Sequence, residues 1–140
     1  MKRLLTVFFL CLNLYSFAQE TATLQNALTK AAQEHKKVLF FFSGSDWCAP
    51  CVKFKRNFID SEDFKAFATT HLVVFNADFP RQKKNALSKT QTSENEKLAD
   101  QYNPKGLFPY IILFDENGKI IRKWEELPGI TINEFIDQLK

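Results

Sequence analysis

Three cysteines, two histidines and four glycines in 140 residues leave little room for several common designs. A disulfide scaffold usually carries four or more cysteines. A zinc site needs converging ligands, and His35 and His71 are scattered away from Cys48 and Cys51. No glycine-rich phosphate loop is present. Val52 follows Cys51, where haem attachment demands a histidine. The formal charge of +3 is too small a field to favour nucleic acid or an anionic membrane. Basic residues gather at Lys53, Lys55 and Arg56, and again at Arg81, Lys83 and Lys84, and both clusters read as wetted surface. The N-terminal apolar run, Leu4 to Leu14, is broken by Thr6 and Asn13. It falls short of the roughly 20 apolar residues that span a bilayer.

That short run is informative in another way. Lys2 and Arg3 precede it, and Ser16 and Ala18 supply small residues before a cut that leaves Gln19 first. The pattern is that of a secretory signal peptide over residues 1–18, followed by one domain over residues 19–140. Phe9 and Leu10 stand before Cys11, where a lipoprotein signal wants a small residue, so Cys11 is expected to leave with the signal. Loss of Lys2 and Arg3 takes the charge from +3 to +1. The location expected is the periplasm or another exported compartment.

Two cysteines then remain, Cys48 and Cys51, in the run Ser45-Asp46-Trp47-Cys48-Ala49-Pro50-Cys51. An oxidising compartment favours their pairing. A two-residue loop is a poor staple, because the entropy removed by a cross-link grows with loop length. The pair makes better sense as a dithiol that cycles with a disulfide. Cys48 is expected at a helix N-terminus, where free N–H groups favour negative charge, and Cys51 within the first turn and more buried. That makes Cys48 the attacking thiol and Cys51 the resolving one. Trp47 has two readings: a flat apolar platform for a partner chain, or a cover for the core edge. Asp46 reads as solvated, with a bond to a backbone N–H near the turn as the alternative. Gly44 lets the backbone bend.

The architecture follows from period and punctuation. Leu24, Ala27, Leu28 and Ala31 recur at helical spacing, predicting a helix from Thr21 to Lys36. Val38 to Phe42 does not alternate and predicts a strand buried on both faces. A helix should run from Cys48 to Phe58, with Pro50 in its first turn, where a missing N–H is harmless. Asp60 or Ser61 should cap a short helix through Ala68, turning Phe64 and Phe67 inward. Leu72 to Phe75 predicts a central strand. Arg81 to Gln91 reads as a loop or a frayed helical insertion. Ser93 with Glu96 forms a capping-box pattern for a helix ending at Tyr102. Tyr110 to Phe114 and Lys119 to Trp124 flank an Asn117-Gly118 turn and predict a hairpin. Thr131 with Glu134 should open a last helix facing the core through Ile132, Phe135, Ile136 and Leu139. The sum is an α/β domain: a mixed central sheet with helices on both faces. His35 reads as a helix-end cation and His71 as facing solvent or a turn. No surface heptad favours a coiled-coil dimer, so a monomer is expected.

The segment from Phe40 through Cys51 resembles the active-site region of the thioredoxin superfamily, above all its exported members and the thioredoxin-like domains of bacterial disulfide reductases and isomerases. The resemblance continues through Phe108-Pro109-Tyr110-Ile111-Ile112-Leu113-Phe114 and the Asn117-Gly118 turn. It implies a thioredoxin-like fold and thiol–disulfide exchange on protein thiols or disulfides, leaning toward reductase or isomerase. It implies a membrane or periplasmic redox partner and no dissociable cofactor. By the same resemblance Cys48 attacks, Cys51 resolves, and Trp47, Phe108 and Pro109 meet the substrate chain, Pro109 as a cis-proline. Pro109 read alone is a proline at a strand start. Two departures stand out. The strand Phe40-Phe41-Phe42 lacks the acid that thioredoxins proper bury there, and the stretch from Pro80 to Thr92 is longer and more polar, reading as a passive surface insertion, with a role in shaping partner access as the alternative. The reading from a different class is a non-catalytic module that holds partner chains with its cysteines permanently oxidised.

Overall fold

The computed structural model describes residues 22–140. The signal-peptide reading and Cys11 lie outside the described residues. Among the described residues nine α-helices and β-strands follow one another: α1 (Leu24–Glu34), β1 (Lys37–Ser43), α2 (Ala49–Phe54), α3 (Glu62–His71), β2 (Leu72–Asp78), α4 (Lys89–Tyr102), β3 (Tyr110–Phe114), β4 (Ile120–Trp124) and α5 (Ile132–Leu139). The four strands form one sheet in the order β2-β1-β3-β4. β1 pairs with β2 in parallel and with β3 antiparallel, and β3 and β4 form the hairpin. No helix among the described residues is long and apolar enough to cross a membrane.

β1 is the hinge of the core. Its side chains alternate between two hydrophobic layers. Val38, Phe40 and Phe42 point toward α1 and α4 and meet Ala31, Phe75, Leu98 and Phe114. Leu39 and Phe41 point the other way and meet Phe54, Phe58, Phe64, Phe135 and Leu139. The absence of alternation in the sequence thus has a simple cause, since both faces are covered.

Local caps define the helix ends. Thr23 caps α1 by accepting from the Asn26 N–H, and Ser61 caps α3 in the same way through Phe64. Thr131 and Glu134 close a reciprocal capping box on α5. At the hairpin, Gly118 takes φ of 78°, which a side chain would resist, and the Asp115 carboxylate accepts from the N–H groups of Asn117 and Lys119.

Four expectations need correction. β2 is an edge strand rather than a central one. Its apolar start misleads, and the exposed Val74 and Asn76 reveal the solvent side. The short helix runs on to His71 rather than stopping at Ala68, and His71 lies on the Phe67 ring at 4.6 Å. The helix opened at Cys48 changes character after Phe54 into a π-helical turn, Lys55–Ile59. Finally, α4 starts at Lys89, capped by Ser88, and not at Ser93. Gln91 explains the earlier start: its amide exchanges two hydrogen bonds with the Ala22 backbone and a third with Asn95. The stretch from Pro80 to Thr92 is therefore ordered, as a 3-10 turn at Lys83–Asn85 followed by the first turn of α4.

Candidate active site

β1 ends at Ser43, and the chain turns through Gly44 into α2. Cys48 is the N-cap of α2, and its Sγ accepts a hydrogen bond from the Cys51 N–H at 3.2 Å. The two cysteines form a disulfide with their Cα atoms 5.2 Å apart. Both are buried, Cys48 at 5% and Cys51 at 3% of full exposure. Burial barely separates them. What does separate them is position, because Cys48 precedes the helix and Cys51 lies inside its first turn.

Two carboxylates fasten this loop to the segment after β2. Parallel pairing puts Ser43 opposite Asp78, so both strand ends arrive side by side. The Asp78 carboxylate accepts from Ser43 Oγ, the Ser45 N–H and Ser45 Oγ. Asp46 reaches the other way and accepts from the Arg81 and Gln82 N–H groups at 2.9 and 3.0 Å and from Asn85 Nδ2 at 2.9 Å. Asp46 is thus not merely solvated, as its sequence setting suggested. Its pKa is lowered, first by the Arg81 N–H and then by Asn85. Asp78 escaped the sequence reading altogether. The available signal was an acid closing a strand parallel to β1.

Trp47 packs over the edge of the core at Phe79 and Phe108. Its Nε1–H donates to the Phe79 carbonyl at 2.7 Å, and the Arg81 guanidinium lies 3.8 Å above its ring centroid. The ring meets Phe108 edge-on at 5.2 Å, and Phe108 in turn meets Phe79 at 5.6 Å. The Phe108–Pro109 peptide is cis, as the resemblance implied. The aromatic contact brings this loop against the cysteine loop. Lys53 and Arg56 lie exposed on the far side of the helix, and the Lys55 ammonium pairs with Asp60. His35 closes α1 in a left-handed conformation and faces Glu116 at 3.2 Å, remote in sequence from the cysteines. Among the described residues no group of three His, Cys, Asp or Glu side chains gathers as a metal site.

Gly44 is required by close approach. A Cβ there would meet Trp47 Cε2 at 2.2 Å, and the indole is held in place from above and by its N–H. Gly44→Ala is expected to lower stability by about 1–3 kcal/mol, read from urea denaturation at fixed slope. Asp46→Asn is expected to raise amide hydrogen exchange at Arg81 and Gln82, because a neutral amide offers one oxygen to three donors. The pH dependence has the same sign. With a lowered native pKa, the Asp46 clamp is complete above the unfolded carboxylate value of about 3.9 and is lost as pH falls through the lower native value. Exchange at those two amides should rise in the mutant at neutral pH and in the wild type only in acid.

A redox-active pair at a helix start, beside a cis-proline loop and on a four-stranded mixed sheet, defines a thiol–disulfide exchange site on a thioredoxin-like fold. The chain belongs to the thioredoxin-like domain family, whose model matches residues 24–139. It is 38% identical over 103 residues to the disulfide bond reductase DsbH of Chlamydia pneumoniae, covering 74% of this chain and 60% of that protein. It is 30% identical over 122 residues to the thiol:disulfide interchange protein DsbD of Actinobacillus pleuropneumoniae serotype 5b (strain L20), covering 86% of this chain and 18% of that protein. The chain thus spans less than two thirds of either curated relative. A solved structure of a DsbH oxidoreductase superposes with a TM-score of 0.73 at 30% identity, covering 86% of this chain and 81% of that one.

Proposed function

We propose that this protein is an exported reductase of protein disulfides. The observation that carries the reading is the Cys48–Cys51 disulfide at the start of α2, with the Cys51 N–H directed at Cys48 Sγ. That donor favours negative charge on the sulfur once the bond is reduced. In the reduced protein the Cys48 thiolate attacks a substrate disulfide, forming a mixed disulfide and releasing the first substrate thiolate. The Cys51 thiolate then attacks Cys48 Sγ, releasing the second substrate thiolate and restoring the protein disulfide. Two electrons pass from the dithiol to the substrate, so no dissociable cofactor is needed.

The direction toward reduction, rather than oxidation or isomerisation, is supported by the name of one relative, a disulfide bond reductase. A reductant in an oxidising compartment must be recharged, so a membrane or periplasmic dithiol partner belongs to the proposal. Trp47, Phe108 and Pro109 form the surface on which the substrate chain lies, with the protein acting as a monomer. Residues 1–18 act as the export signal. Phe42 and its neighbours leave the strand under the cysteines without an acid, so the resolving proton has to leave by another path.

The test is the reduction potential of the Cys48–Cys51 couple, measured by equilibrating residues 19–140 in dithiothreitol or glutathione buffers. A value near about −270 mV supports a reductant that needs an electron supply. A value near about −120 mV marks an oxidant that gives its disulfide to substrates and overturns the proposal.

A further inference from the structure

Cys51 is 3% exposed, and its thiol has to give up a proton as it attacks Cys48 Sγ. A cavity of about 160 Å³ lies against it, lined by Cys51, Phe41, Ser43, Ser45, Lys55 and Asn76. We propose that Asp78 accepts the proton of the resolving step, and that the proton reaches it from Cys51 across this cavity, through the hydroxyls of Ser43 and Ser45. The inference rests on the reading of the protein as a disulfide reductase, in which Cys51 is the attacking group of the second step.

Three observations carry it. First, the register of β1 and β2 gathers polar groups under the cysteines. Phe41 stands beside Asn76 and Ser43 beside Asp78. The Phe41 ring packs on Phe54 of α2, so these four residues share the face of the sheet that α2 covers. Phe42 and Ala77 turn into the other layer. The face under α2 thus becomes polar at the end where the cysteines sit. Second, the hydroxyls form a route. Ser43 Oγ lies 2.8 Å from Asn76 Oδ1 and 2.9 Å from Asp78 Oδ1. One hydroxyl proton faces two acceptors, so it donates to one at a time and can turn between them. Ser45 Oγ donates to the other Asp78 oxygen at 2.5 Å. Both hydroxyls line the cavity, and both end on Asp78. Third, the route has an entrance and an exit. The cavity has room for several waters at about 30 Å³ each, and its lining offers them polar partners. Asp78 is half-buried and lines a separate groove with Arg81 and Glu96, from which a proton passes to solvent. The other charged groups around the route are engaged elsewhere or lie off it. The Lys55 ammonium pairs with Asp60, and Asp46 is held by Arg81, Gln82 and Asn85. In the mixed disulfide, the Cys51 proton passes through cavity water and a serine hydroxyl to Asp78. The freed electron pair forms the bond to Cys48, and the substrate sulfur leaves as a thiolate that takes a proton from solvent. Asp78 returns its own to solvent, so the step balances.

The test is stopped-flow release of thionitrobenzoate from its symmetrical disulfide by reduced residues 19–140. Attack by Cys48 releases one equivalent, and attack by Cys51 releases the second in a step independent of reagent concentration. In Asp78→Asn the second phase is expected to slow at least about tenfold at neutral pH, while the first stays within about twofold. Its rate should then climb about tenfold per pH unit, as when hydroxide takes the proton, whereas the wild-type rate stays nearly level between about pH 6 and 8. Added imidazole, a free proton acceptor, should speed the second phase of the variant and leave the wild type unchanged. Ser43→Ala combined with Ser45→Ala keeps the carboxylate but breaks the route, and should slow the second phase in the same way. A carboxylate that only fastens the loop would slow both phases together, without the steeper pH profile or the rescue. That result overturns the proposal, as does an unchanged second phase in either variant, and both leave the reductase intact. If Asp78→Asn loses the first phase through misfolding, the serine variant decides. If the wild type releases no thionitrobenzoate at all, the reductase reading fails, and the proton route with it.

Discussion

Cys51→Ser is expected to turn a recycling protein into a covalent trap. The Cys48 thiolate still attacks, but no second thiol lies within reach to release the mixed disulfide. Among the described residues Cys51 is the thiol that geometry places for this, three positions on and already bonded to Cys48. Non-reducing electrophoresis of the variant mixed with an oxidised protein substrate should show a band at the summed mass, removed by dithiothreitol. Multiple turnover should drop to the level of a protein-free control. Cys48→Ser should lose turnover to the same degree but form no adduct, because Cys51 lies inside the first turn of α2 whereas Cys48 precedes it. The asymmetry between the variants is the informative part. If both keep the function of the wild type in a cellular assay, the protein is a holder of partner chains and its cysteines are incidental.

Phe135→Ala should produce the largest loss of stability, about 3–5 kcal/mol. Phe135 is fully buried on α5, and its ring meets those of Phe58 at 5.0 Å, Trp124 at 5.3 Å, Phe54 at 5.9 Å and Phe64 at 6.4 Å. Four elements touch at this one side chain, so no single neighbour can relax to fill the space it leaves. For a domain of this size the melting temperature should fall by about 10–20 °C. Phe54 and Phe58 continue the helix that carries the cysteines, so the variant should also show faster amide exchange through α2. A loss below about 1 kcal/mol would mean that the second hydrophobic layer does not depend on this contact.

How much of this was readable in advance depended on the range of the interactions. Helix caps and the hairpin turn are local, and Ser61, Thr131 and Gly118 act within four residues of the groups they serve. Those features were legible from spacing alone. The same holds for Cys48 and Cys51, whose pairing needs no fold. Leu72 to Phe75 misled because four apolar residues look alike at the centre and at the edge of a sheet. Ser93 and Glu96 misled because a capping box is a local preference, and Gln91 overrides it by a contact to Ala22 on the far side of the chain. Asp46 and Asp78 were illegible for a related reason. Their partners lie more than thirty residues away, and the register of two parallel strands has to exist before either carboxylate has anything to hold.

The position of β1 has a consequence in time as well as in space. Phe40 pairs with Phe75 on one side and with Ile112 on the other, so its second neighbour does not exist until most of the chain has been made. Until then the run from Val38 to Phe42 is an unpaired apolar segment of high β-propensity without charge or proline, the kind that adds to strands of other molecules. The cysteines face no such delay, since only two residues separate them and their bond closes without help from the sheet. The sheet therefore closes only when β3 is available, and the interval before that is when the run from Val38 to Phe42 is most open to other molecules.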